Sequence, residues 1–130
     1  MRKILRAKIH RATVTHADLH YEGSITLPPD LMKLSGLVTN EAVAVWNVTN
    51  GNRFETYAIE GEKDSWDISV NGAAAHLTNP RDLVIIAAYE YLTSDQIVDF
   101  EPKLVFVDEH NHPKELRKEV PGPKLHLTKI

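Results

Sequence analysis

Apolar and polar positions alternate from the start of the chain. Ile4, Ala7 and Ile9 are interleaved with Arg2, Lys3, Arg6, Lys8 and Arg11, which predicts a half-buried strand over residues 2 to 14 with one solvated face, Lys8 being the exception among the solvated charges. Residues 23 to 27 begin a second strand. Pro28, Pro29 and Asp30 then open a short helix through Leu34 with Gly36 as its stop, because proline suits a first helical turn and glycine a C-terminal cap. The apolar pattern resumes over residues 42 to 48, Asn50-Gly51 marks a hairpin, and residues 53 to 59 return as the partner strand. Residues 68 to 70 form a brief strand closed by Asn71-Gly72, followed by one helical turn over residues 73 to 77. The almost continuous apolar run 83 to 91 predicts a central strand buried on both faces, and residues 104 to 107 a last one. From Glu109 onward charge, histidine and proline dominate without period, which predicts a loosely held or disordered tail.

Many short strands and few, short helices predict a mainly β fold, a small closed or nearly closed barrel, since such helices cannot cover a parallel sheet. At 130 residues the chain fits one domain, expected to span residues 1 to 108 with a tail over 109 to 130. Ordinary globular usage, 42% hydrophobic and 25% charged residues, points to neither disorder nor a membrane fold. A net charge of −3 offers no broad basic surface, so nucleic acid is not an expected partner. There is no cysteine, which excludes disulfides and thiolate chemistry. No apolar stretch resembles a signal peptide or membrane span, so the protein is expected to be cytoplasmic and the Asn47-Val48-Thr49 sequon to go unused. His16 and His20 have helical spacing, and His110 and His112 flank an asparagine. No third ligand is implied, so no metal is expected.

With thiol chemistry excluded, the pair Gly23-Ser24 carries the most specific chemical possibility. Alone it is an ordinary turn signal. Its other use is self-cleavage: the serine hydroxyl attacks the preceding carbonyl, the amide becomes an ester, and elimination leaves an N-terminal pyruvoyl ketone. Strain at a distorted residue contributes about 1 to 3 kcal/mol, too little for this step. A donor facing the developing oxyanion adds roughly 10² to 10³-fold, so a hydroxyl or N–H near the Gly23 carbonyl is required. Thr56 has a hydroxyl of the type needed, against its plain alternative as a β-branched strand residue. Gly23 places no Cβ in the path of attack.

The pair stands with Trp46-Asn47-Val48-Thr49-Asn50-Gly51, with residues 53 to 57 and with Asn71-Gly72-Ala73-Ala74-Ala75-His76. With these in order, over most of residues 1 to about 108, the chain resembles the pyruvoyl-dependent aspartate 1-decarboxylases. It departs at Leu27-Pro28-Pro29 and after Asp108. The resemblance implies a six-stranded double-psi β-barrel, cleavage into residues 1 to 23 and 24 to 130, and a homotetramer with sites between neighbours. It also implies conversion of L-aspartate to β-alanine for pantothenate and coenzyme A synthesis. Whether a maturation partner is needed stays open.

Such a ketone condenses with a substrate amine and accepts the electrons left when carbon dioxide departs. Two tasks then fall to side chains. Arg53 suits bidentate recognition of the second carboxylate, with Lys8 adding charge. Tyr57 matches the family's proton donor. Arg53 and Tyr57, four apart on a strand, share a face from which Thr56 points away, so bringing all three to one group predicts a bulge or a site shared between subunits. By the resemblance Thr56 supports processing and also joins substrate binding. Gly72, Ala73 and Ala74 correspond to a substrate-binding segment at a helix start, Asn71 lines the site, and His10 and Tyr21 lie near the pyruvoyl group. Two alternatives remain: a non-catalytic barrel with an uncut Gly23-Ser24 turn that binds a partner, and a pyruvoyl decarboxylase for another amino acid such as glutamate.

Overall fold

The computed structural model describes residues 1 to 122. Strand β1 (Arg2–Thr13) is followed by β2 (His16–Asp18), β3 (Ser24–Leu27), helix α1 (Pro29–Ser35), β4 (Ala42–Asn47), β5 (Arg53–Glu60), β6 (Ser69–Asn71), a 3-10 turn (Gly72–Leu77), β7 (Leu83–Leu92), the short helix α2 (Ser94–Ile97), β8 (Lys103–Val107) and β9 (Pro113–Leu116). The strands form one sheet in the order β2-β6-β3-β5-β4-β7-β1-β8-β9. The fold is mainly β, as expected, with nine strands instead of six. The two unforeseen strands, β2 and β9, are short and polar at the ends of this order, where backbone pairing needs no apolar alternation. Among the described residues these end strands are not paired with each other.

The long strand β1 joins the halves of the sheet by pairing antiparallel with β7 and parallel with β8. Register shifts after Leu5 and after Ile9 bend it, and Arg11 within the second takes a positive φ of 61°. Covered by β8 and the tail, residues 7 to 9 are buried on both faces, so Lys8 leaves the solvated row. In β7 only the first half is buried on both faces; Tyr89, Glu90 and Tyr91 are exposed. A single core collects Ile9 and Val14 with Ile25, Leu31, Val43, Val45, Val70, Val84, Ile86 and Val105.

Helix α1 has Pro29 in its first turn and ends at Gly36, whose φ of 77° lets its N–H and that of Leu37 close on Lys33 O and Met32 O. The β4–β5 hairpin forms, with a five-residue loop in place of the tight two-residue turn that Asn-Gly signals. Asn47 holds it: Oδ1 accepts from Thr49 N at 2.9 Å and Asn50 N at 3.2 Å, while Nδ2 donates to Asp82 Oδ2 at 2.8 Å.

The chain stays in the sheet beyond Asp108, where a loose tail was expected to begin. Strand β9 pairs with β8, and buried Asn111 donates to Trp66 O at 3.0 Å and Thr13 O at 2.9 Å. The specific contacts of one asparagine leave no apolar period to read. The end of the expected tail, residues 123 to 130, lies outside the described residues.

Candidate active site

Strand β3 starts at Ser24, immediately after the turn that carries Gly23, so the junction lies at a strand edge. Opposite it runs β6 in antiparallel register, with Ser24 facing Asn71. The Ser24 side is buried, at 5% exposure, and Asn71 Nδ2 donates to Ser24 Oγ and to Thr26 Oγ1, each at 3.2 Å. Ser69 Oγ in turn donates to Asn71 Oδ1 at 2.7 Å. The next residue, Gly72, has a φ of +76°, and a Cβ there would lie 2.7 Å from Gly23 Cα and 3.0 Å from Gly23 N. No side chain fits that space. Gly72 is therefore a backbone bearing under the junction as well as a turn residue.

A cavity of about 380 Å³ opens beside the junction. Tyr21, Gly23, Ser24, Thr26 and Tyr57 line it, with Glu22, Glu60 and Glu62 as its only charged residues among those described. Tyr57, at 39% exposure, thus shares a cavity with Ser24. A larger cavity of about 500 Å³ lies elsewhere, between Phe100, Pro102 and Lys118, and includes none of the expected site residues.

Strand β5 has Arg53, Glu55 and Tyr57 on its exposed side and Phe54, Thr56 and Ala58 on the other, as parity predicts. Of the two arrangements expected, a bulge or a site shared between subunits, the bulge is absent: pairing with β4 runs unbroken from Tyr57 to Arg53. Parallel pairing with β3 begins at Ile25 opposite Ala58, two residues beyond Thr56 on β5, and Thr56 does not line the cavity. Arg53 instead stacks on Trp46, its guanidinium 4.8 Å from the ring centroid, about 13 Å along the strand from Tyr57. Regular β geometry keeps these two from one small group within a single chain.

Lys8 and His10 lie on β1, and neither lines the cavity. Lys8 Nζ donates to Glu119 Oε1 at 2.8 Å, and this bond and charge hold Glu119 below its ordinary carboxylate value. His10 stacks on Phe106 with centroids 5.1 Å apart, and its Nδ1 is buried without a hydrogen-bond partner among the described residues. Burial first, then the charges of Lys8 and Arg11, hold its pKa below the ordinary value. Ala73 is exposed and Ala74 half-buried in the 3-10 turn, the helical turn expected there. His16 lies on β2, so its helical spacing from His20 places no pair on a helix face.

The structure therefore gathers Tyr21, Gly23, Ser24, Tyr57, Asn71 and Gly72 and leaves Lys8, His10 and Arg53 apart. Sequence reasoning missed Thr26 and Ser69. Both lie two residues from a recognised site residue on the same strand face, so parity was the available signal.

Fold and site define a β-sheet protein that presents a buried hydroxyl directly after a glycine whose backbone rests on Gly72. The family model for aspartate decarboxylase matches residues 1–114. Aspartate 1-decarboxylase of Legionella pneumophila (strain Paris) is 58% identical over 123 residues, 95% of this chain and 92% of its own. Those of Syntrophotalea carbinolica, 54% identical over 121 residues (93% and 92%), and Myxococcus xanthus, 53% over 127 (95% and 97%), are similar. The chain belongs to the aspartate decarboxylase family.

Proposed function

We propose that the chain cuts itself between Gly23 and Ser24 and then acts as a pyruvoyl-dependent carboxy-lyase, converting L-aspartate to β-alanine and carbon dioxide for pantothenate and coenzyme A synthesis. The observation that carries this reading is the junction: a buried Ser24 hydroxyl, an Asn71 N–H on its oxygen, and Gly72 packed against the Gly23 backbone. These residues fit a pyruvoyl group at position 24, since the precursor hydroxyl is held in a polar, unhindered place. The group, once formed, supplies an electron sink for decarboxylation.

The remaining roles belong to the chain's own side chains. Thr56, on the strand that pairs with β3, donates to the carbonyl oxygen as negative charge develops there and later borders the substrate. Tyr57 shares the Ser24 cavity and is the proton donor to carbon. Arg53 and Lys8 bind the second carboxylate, Gly72, Ala73 and Ala74 let it approach the backbone, and His10, Tyr21 and Asn71 support the site. Among the described residues the cavity beside Ser24 is lined by glutamates and no cation, yet a substrate with two carboxylates needs one. A homotetramer answers this, with Arg53 and Lys8 reaching the cavity of a neighbouring copy.

Cleavage leaves residues 1 to 23 and 24 to 130 held together, because β1 and β2 in the first piece are paired with β7, β8 and β6 in the second. The mixture of parallel and antiparallel pairs between strands distant in sequence supports a double-psi barrel built on six of the nine strands. Among the described residues no helix is long and apolar enough to cross a membrane, and we place the reaction in the cytoplasm.

Denaturing mass spectrometry tests the proposal. Two fragments are expected, the larger one lighter by one ammonia than hydrolysis alone would leave it. Ser24→Ala stays whole; Tyr57→Phe is cut normally and loses decarboxylation by about 100-fold. A wild-type chain that stays whole after prolonged incubation sinks the reading, and normal turnover by Tyr57→Phe removes Tyr57 as the proton donor.

A further inference from the structure

One hydroxyl at the junction touches an amide and not the reacting bond. Ser69 and Asn71 are two apart on β6 and share a face. Ser69 Oγ donates to Asn71 Oδ1 at 2.7 Å, which leaves Nδ2 facing β3, with Ser24 Oγ and Thr26 Oγ1 each 3.2 Å away. The amide is buried, at 4% exposure, and in this orientation each of its two N–H groups meets one oxygen. Turned by half a rotation, its oxygen would face both hydroxyls and its nitrogen only Ser69, so one buried N–H would lose its acceptor.

We infer that Ser69 is a positioning residue for self-processing: it locks the Asn71 amide so that an N–H is held on Ser24 Oγ, the oxygen that must depart with Gly23. The inference rests on the self-cleavage reading above. In the first step Oγ bonds to the Gly23 carbonyl carbon, the carbon–nitrogen bond breaks, and the hydroxyl proton passes to the freed nitrogen. Because Oγ accepts from Asn71, its own proton is not tied up in that contact. In the second step a proton leaves Ser24 Cα and the Cβ–Oγ bond breaks, its electrons departing on the Gly23 carboxylate. Water then adds to the resulting dehydroalanine, ammonia leaves, and the ketone remains. Through the second step Oγ changes from a neutral ester oxygen to part of a carboxylate, and hydrogen bonds to charged acceptors are roughly twice as strong as neutral ones. A locked N–H therefore favours elimination more than the ester before it. Thr26, taking the second N–H, keeps the same orientation.

The test follows freshly made full-length chain by denaturing mass spectrometry, with and without hydroxylamine, which splits esters. Ser69→Ala is expected to form the ester but eliminate about tenfold more slowly. The sign is a population of uncut mass that hydroxylamine splits between residues 23 and 24. Ser69→Thr, which keeps the hydroxyl, restores wild-type timing. Asn71→Asp keeps the shape and removes the donor; it should give the same population, and it decides the case if Ser69→Ala does not fold by circular dichroism. Cutting of Ser69→Ala at the wild-type rate with no hydroxylamine-sensitive population overturns the inference. So does a folded Ser69→Ala, or Asn71→Asp where that variant decides, that stays whole and hydroxylamine-resistant. If the wild-type control itself is never cut, the self-cleavage reading fails, a result distinct from failure of Ser69 alone.

Discussion

At Gly72 two demands meet on one residue. Its φ of +76° is costly for a residue with a Cβ, and that Cβ would press on Gly23 from 2.7 Å. The obstruction is backbone, which has no rotamer to yield. Gly72→Ala is expected to lose about 2 kcal/mol or more of stability and, because Gly23 must move, to slow the cut at residue 23. Thermal melting and the rate at which the two fragments appear check both effects. An alanine variant that melts and cleaves like wild type would show that the bearing does not hold the junction. The sequence exposed the junction itself, through a rare pairing of residue types among recognisable motifs. It held no trace of Gly72 resting on Gly23, because 49 positions of chain separate them and only folding brings them together. The Asn71 amide is an intermediate case, since its residue was legible and its locking by Ser69 was not.

Strand β1 shows what alternation does and does not reveal about an element. Its span was legible because its apolar positions have a strand's period, and Lys8 already stood apart from the solvated row, whereas the orphaned His10 ring was not legible, since β8 and the tail supply its cover from distant sequence. His10 faces Lys8, Arg11, Arg117 and Glu119, and burial followed by the cations depresses its pKa below 6.5. In the unfolded chain the ring takes up a proton near pH 6.5, in the folded chain only at lower pH, so the unfolded state binds more protons between the two. Stability must then fall as pH drops through and below 6.5. Glu119, held below its ordinary 4.5, keeps its charge through that window, and its own contribution is lost only as pH falls further. The expected result is a drop in melting temperature from pH 7.5 to about pH 5.5 that is smaller in His10→Gln. Equal drops in the two proteins would remove His10 as the source.

Across the whole molecule, residues 109 to 116 join the sheet instead of trailing from it, which composition concealed because most of these residues are charged or histidine and exposed while Asn111 is buried. Asn111 Oδ1 accepts from Thr13 N at 2.7 Å, and its Nδ2 donates to Thr13 O at 2.9 Å and Trp66 O at 3.0 Å. Three segments, the end of β1, the approach to β6 and the turn before β9, are thereby tied at one side chain with a φ of +66° that asparagine tolerates well. The first segment lies before the proposed cut and the other two after it, so this side chain also binds the two pieces together. Asn111→Ala removes three hydrogen bonds at about 1 kcal/mol each and adds a backbone cost of about 1 kcal/mol. A fall of roughly 10 °C or more in melting temperature is expected. Asn111→Gly relieves the backbone cost and loses the same bonds, so it should melt between alanine and wild type. An alanine variant within about 2 °C of wild type would mean that residues past 108 are bystanders, and the boundary of the folded unit would return to Asp108.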